Sequence, residues 1–115
     1  MRVIIAIGSN NRQQPHVQWA SQRLTTLLSD VRFSRLLWTP DVKGSACYYL
    51  NRLATGTTDL PLSDLVARLK QAEALTGRRP GSVTVDLDVL QYGDERHHLH
   101  DWTRPYTQQL LPDLL

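Results

Sequence analysis

Apolar positions recur along the chain in two spacings, and their changes mark the elements. Val3-Ile4-Ile5-Ala6-Ile7 is a continuous apolar run that meets Gly8-Ser9-Asn10. It reads as a strand covered on both faces, hence central in its sheet. From about Pro15, Val17, Ala20, Leu24, Leu27 and Leu28 fall at amphipathic-helix spacing, and Ser29-Asp30 ends that pattern. Val31 to Thr39 is predicted as one strand, with Val31 and Phe33 alternating against Arg32 and Ser34. Thr39 to Ser45 is a loop by composition, and Pro40 forces Thr39 toward an extended conformation. Tyr48 to Thr55 is the next strand, with Tyr49, Asn51 and Leu53 on one face. After a turn at Gly56-Thr57-Thr58-Asp59, Pro61 opens a helix whose stripe is Leu62, Leu65, Val66, Leu69 and Ala72. Gly77 stands where a C-terminal cap is expected. Thr84 to Leu90 alternates again, with Val85, Leu87 and Val89 against Thr84, Asp86 and Asp88. The remainder is polar, except for Leu110-Leu111 and Leu114-Leu115.

The order strand, helix, strand, strand, helix, strand predicts an α+β domain of ferredoxin-like βαββαβ type. That arrangement is a four-stranded antiparallel sheet with two helices on one face and the first and third strands central. The other sheet face is expected to lack helices and to be covered by loops or ligand.

Length and charge narrow the classes. At 115 residues, with 41% hydrophobic and 21% charged positions, the chain reads as one soluble domain spanning residues 1–115. The net charge of +2 has no Lys/Arg block behind it, so nucleic acid is not implied. A single cysteine, Cys47, excludes an intrachain disulfide, and the short apolar N-terminus is neither a signal peptide nor a membrane span. A cytoplasmic protein with no membrane partner is expected. An RNA-binding domain of this fold would want aromatic, basic strands, and Val3 to Ile7 has no aromatic residue. Oligomeric state is left open.

The chemistry centres on Asp86 and Asp88. Two residues apart on a strand, they stand side by side, roughly 6.5–7 Å apart at Cα. Carboxylates so placed repel, and something must neutralise them. A divalent cation carrying phosphate oxygens is one answer; a polar face paired with Arg78 or Arg79 is the other. His97, His98 and His100 lie in a polar segment without a cysteine partner or helical spacing, so they read as solvated rather than as zinc ligands.

Five pieces in order carry a resemblance: Ala6-Ile7-Gly8-Ser9-Asn10, Thr39-Pro40, Tyr49-Leu50-Asn51, Glu73 to Gly77-Arg78, and Asp86-Leu87-Asp88. Together they resemble the hydroxymethyl-dihydropterin pyrophosphokinases of folate synthesis. The resemblance implies transfer of a pyrophosphoryl group from ATP to the hydroxymethyl oxygen of a dihydropterin, with AMP leaving. It implies that Asp86 and Asp88 hold two Mg²⁺ ions bridging the ATP phosphates. Tyr49 would stack on the pterin and Asn51 would bond its edge, with Thr39, Pro40 and Val42 completing the pocket. Lys70, Glu73, Arg78 and His100 fall at nucleotide-contacting positions.

The chain departs from the family at several positions that matter for the chemistry. Val83 stands where the family has an arginine, and Arg79 is a second candidate for reaching the phosphates. The loop from Arg78 to Thr84 is short, and Lys70 replaces a glutamine. Tyr106 and Gln108 occupy the places of a family arginine and phenylalanine, with Arg104 nearby. The family's C-terminal segment is missing. These features keep a second expectation open, a catalytically degenerate relative that binds pterin, nucleotide or a protein partner.

Overall fold

The N-terminal apolar run forms β1 (Arg2–Ser9) and lies in the middle of the sheet, as its two-sided hydrophobicity requires. The computed structural model describes residues 1–41 and 47–115. After β1 come α1 (Gln13–Leu27), β2 (Ser29–Phe33), β3 (Leu37–Pro40), β4 (Tyr48–Thr57), α2 (Leu62–Leu75), β5 (Asp86–Tyr92) and β6 (Glu95–Arg96). Two short helices, α3 (Leu99–Trp102) and α4 (Pro105–Leu110), and a 3-10 turn at Leu111–Leu114 close the chain.

The fold is α+β with an antiparallel sheet whose central strands are β1 and β4, but the sheet has six strands rather than the expected four. Its order is β2-β4-β1-β5-β6, with β3 also paired to β4. The expected single strand from Val31 to Thr39 is divided at Ser34. There both the backbone N–H and the hydroxyl are engaged with Leu53: Ser34 N–H donates to the Leu53 carbonyl at 2.8 Å, and Ser34 Oγ accepts the Leu53 N–H at 2.8 Å. A side chain thus takes one rung of the ladder, and β2 and β3 pair with β4 on either side of it. The sixth strand arises because Gly93, at φ 59°, lets the chain reverse so that Glu95 and Arg96 pair with Tyr92 and Gln91.

α1 and α2 share one face of the sheet. Val17, Ala20 and Leu24 of α1 and Leu65, Leu69 and Ala72 of α2 enclose Val3, Ile5 and Ile7 of β1 with Val85, Leu87 and Val89. The expectation that the other face lacks helices is corrected: Leu53 and Leu90 there are covered by Trp102, Leu110 and Leu114. A β-bulge makes this second core possible. Ile5 pairs with Val89 but Ile4 pairs with Gln91, so Leu90 is an extra residue and turns to the second face. Its carbonyl accepts the Trp102 indole N–H at 3.1 Å, and the indole is also 3.1 Å from the His97 carbonyl. Segments of four and six residues carry no readable periodicity, which is why the sequence pattern did not announce α3 and α4. Among the described residues, no helix is long and apolar enough to cross a membrane.

Candidate active site

The C-terminal helices cover only part of the second face. What they leave open is a cavity of about 280 Å³ at the β1–β4–β5 end. Register decides which side chains reach it. Gly8 of β1 pairs with Asn51 on one side and Asp86 on the other, and the next row on this face joins Ala6 to Leu53 and Asp88. Asp86, Asp88, Tyr49, Asn51, Thr39 and Pro40 all line the cavity. Val42 lies outside the described residues.

Asp86 and Asp88 leave β5 together, as alternation requires, while Leu87 between them is buried against the helices. Burial is the main cause, and the charge of Asp86 the next, of an Asp88 carboxyl pushed up from 3.8 to about 6. The charges of His98 and Lys70 partly offset this. Arg78 Nη1 lies 3.2 Å from Asp86 Oδ1, and Lys70 Nζ lies 3.6 Å from Asp88 Oδ1. Both cations also bind Glu73, Arg78 at 3.0 Å and Lys70 at 3.1 Å. Glu73 itself is buried, and its Oε2 accepts the Leu87 backbone N–H at 2.7 Å on the open edge of β5. The end of α2 is therefore fastened to β5 between the two aspartates.

The opposite wall is built from β3 and β4. Asn51 is buried, and its amide donates to the Leu37 carbonyl at 3.1 Å and to Thr39 Oγ1 at 2.8 Å. With both N–H groups engaged, its Oδ1 is left on the Gly8 side, where it lies 3.8 Å from the position a Gly8 Cβ would take. Asn10, quoted in the sequence pattern but given no role, ties this wall to the next loop. Its Nδ2 reaches the Tyr49 hydroxyl at 3.4 Å, and its Oδ1 accepts the Val83 N–H at 2.8 Å. The Tyr49 hydroxyl holds its proton more tightly than usual, through burial first and the carboxylates of Asp41 and Asp86 next.

Of the two adjacent arginines, only Arg78 lines the cavity. Arg79-Pro80-Gly81-Ser82 forms a tight turn, with Gly81 at φ 77° and Ser82 N–H donating to the Arg79 carbonyl at 2.9 Å. Arg79 lines a separate shallow groove with Asn11, His16 and Thr84. Val83 is at the cavity wall, and Arg104, Tyr106 and Asp101 enter it from the C-terminal segment. Arg104 has no carboxylate within ion-pair distance among the described residues. His100 is exposed and does not line the cavity. His98, read from sequence as solvated, is half exposed and also approaches Asp88 Oδ1 at 3.8 Å. Its only signal was membership in a histidine-rich segment; its distance to Asp88 is set by Trp102 docking on Leu90.

An antiparallel sheet with two long helices on one face, and on the other a polar cavity walled by paired carboxylates and an aromatic–amide pair, defines an α+β domain with an open cleft beside its C-terminal helices. Residues 4–114, nearly the whole chain, match the family described as 7,8-dihydro-6-hydroxymethylpterin-pyrophosphokinase (HPPK), and the chain belongs to that family. No curated protein matches it.

Proposed function

We propose that this chain transfers pyrophosphate from ATP to 6-hydroxymethyl-7,8-dihydropterin, the family reaction of folate synthesis. The observation that carries the reading is that Asp86–Asp88 and Tyr49–Asn51 open onto one cavity from opposite walls. A flat heteroaromatic ring needs a stacking face and an acceptor for its N–H edge, and Tyr49 and Asn51 Oδ1 are groups of those kinds. Thr39 orients the amide.

The donor set also suits Mg²⁺. Two carboxylates on one strand face, close enough for one charge to raise the other's proton affinity, offer hard oxygens and gain from a cation. Asp86 and Asp88 would hold two ions, which supply neutralisation of the ATP phosphates when bound. The hydroxymethyl oxygen attacks the β-phosphorus, the bond from that phosphorus to the α–β bridging oxygen breaks, and AMP departs with that oxygen. The hydroxyl proton passes to solvent or a cavity carboxylate. The chain's own contribution is positioning and charge: Arg78 and Arg104 flank the cavity, and Lys70 pairs with Asp88. Glu73 acts through Lys70, Arg78 and the β5 backbone.

A second reading, a binder without turnover, is favoured by one observation: Arg78 and Lys70 are already engaged by Glu73, Asp86 and Asp88. Incubation with ATP, Mg²⁺ and the hydroxymethylpterin separates the two. AMP release that requires both substrates supports the transferase; calorimetric binding without AMP supports the binder.

A further inference from the structure

The C-terminal segment places metal-binding groups beside Asp88 that are not part of the paired-carboxylate motif. His98, Asp101 and Asp88 each offer one ligand atom, and these atoms lie within 4.8 Å of one another. Three atoms sharing a small divalent ion with bonds near 2.1 Å stand roughly 3.4 Å apart in a tetrahedral arrangement, so modest side-chain movement closes the set. The trio is held from outside itself. Trp102, adjacent to Asp101, is anchored on the Leu90 and His97 carbonyls, and Asp101 N–H donates to the His98 carbonyl at 2.8 Å.

Asp88 is held more loosely by its cations than Asp86 is. Its side chain is 18% exposed, and Lys70 and His98 stand at 3.6 Å and 3.8 Å, against 3.2 Å for Arg78 on Asp86. A carboxylate standing beside a second one gains from a cation bound directly to it. The imidazole determines which cation. Oxygen-only sites suit Mg²⁺, whereas a nitrogen ligand shifts preference along the transition series toward Zn²⁺.

We infer that Asp88, His98 and Asp101 form a mixed oxygen–nitrogen site for one divalent ion, and that His98 makes it prefer a transition ion such as Zn²⁺ to Mg²⁺. This rests on the metal reading of Asp88 given above. Asp88 and Asp101 both line the cavity, so the ion sits at its wall. His98 is the specificity-determining ligand.

The test is calorimetric titration of the purified chain with Zn²⁺, and separately with Mg²⁺, with and without a non-hydrolysable ATP analogue. The parent should bind one Zn²⁺ at least tenfold more tightly than Mg²⁺. His98→Gln should lose about tenfold or more in Zn²⁺ affinity while changing Mg²⁺ affinity less than twofold. Asp101→Asn should weaken both ions, and His100→Gln neither. His98 is half exposed, so a thermal melt showing His98→Gln folded like the parent is expected. With Co²⁺ as a coloured probe, the visible spectrum should change in His98→Gln and not in His100→Gln. Unaltered Zn²⁺ affinity in His98→Gln, or equal losses in His98→Gln and His100→Gln, overturns the inference. If Mg²⁺ still binds with the analogue in that case, the magnesium reading of Asp86 and Asp88 stands. Absence of binding by any ion overturns both.

Discussion

Asn51 and Asp86 occupy one row across the sheet, each the direct partner of Gly8. Two strand spacings separate their Cα atoms, roughly 10 Å, and the residue between them has no side chain. The floor of the cavity is therefore bare backbone flanked by an amide and a carboxylate. Gly8 is suited to this by what it lacks rather than by its conformation, since its φ is not in the left-handed region.

The size of a side chain at position 8 should then tune ligand binding without breaking the fold. A Cβ there would meet Tyr49 Cδ2 at 3.7 Å and Asn51 Oδ1 at 3.8 Å, which are ordinary contacts. Gly8→Ala should fold with stability within about 0.5–1 kcal/mol of the parent. Gly8→Leu fills the floor and should weaken hydroxymethylpterin binding by on the order of tenfold or more, as about 1.4 kcal/mol of lost contact requires. Calorimetry with the pterin alone checks both. Equal pterin affinity in Gly8→Leu would place the ring elsewhere.

The raised Asp88 carboxyl links stability, pH and metal. A carboxyl that holds its proton more tightly folded than unfolded stabilises the fold when protonated. That contribution is fully present below the ordinary value of 3.8 and is lost as pH rises through about 6. Asp88→Asn should therefore equal the parent in stability near pH 4 and exceed it at pH 7, by about 1–2 kcal/mol after allowance for screening, with a higher melting temperature there. Added Mg²⁺ should raise the parent's melting temperature at pH 7.5, less so at pH 5, and leave Asp88→Asn unmoved. Melts with and without Mg²⁺ at these four pH values decide it, and a parent already more stable than the variant without metal at pH 7 contradicts it.

These two relationships differ in how far they could be read beforehand. Alternation alone put Asp86 and Asp88 on one face and Tyr49 with Asn51 on one face, because strand periodicity is local. The continuous apolar run of β1 likewise told its central place. That Gly8 joins the two pairs is a matter of register, which depends on three strands at once. The kink at Ser34 and the bulge at Leu90 are side-chain and backbone compensations invisible to a hydropathy pattern. The approach of His98 and Asp101 to Asp88 follows from the bulge, through Leu90 and Trp102, over contacts distant in sequence. Arg78 and Arg79 look alike in the chain, and the Pro80-Gly81 turn separates them.

Glu73 should behave as a structural fastener whose loss is felt first in stability. Its carboxylate binds Lys70, Arg78 and the Leu87 N–H while nearly excluded from water. Glu73→Gln keeps one acceptor for Leu87 but leaves two cations short of a counter-charge. We expect a loss of about 2–4 kcal/mol in denaturant unfolding, larger than for Lys70→Ala, whose side chain is half exposed. A variant that unfolds like the parent but loses ATP affinity would instead make Glu73 a direct nucleotide contact.

Arg104, Arg78 and Arg79 should separate by function. Arg104 lines the cavity and is unpaired among the described residues, so its guanidinium is free to meet phosphate oxygens. Arg78 lines it too but also braces Glu73 and the Val85 carbonyl, at 3.0 Å and 3.4 Å. Arg79 points into another groove. Arg104→Ala should lower kcat/KM for AMP release by on the order of 10²-fold or more with an unchanged melt. Arg78→Ala should lower both kcat/KM and melting temperature. Arg79→Ala should stay within about threefold of the parent, a difference under about 0.7 kcal/mol. Steady-state kinetics paired with thermal melts on the three variants check the order. A large kinetic loss confined to Arg79→Ala would mean that the Pro80-Gly81 turn rearranges when ATP binds, swinging the second guanidinium over the phosphates.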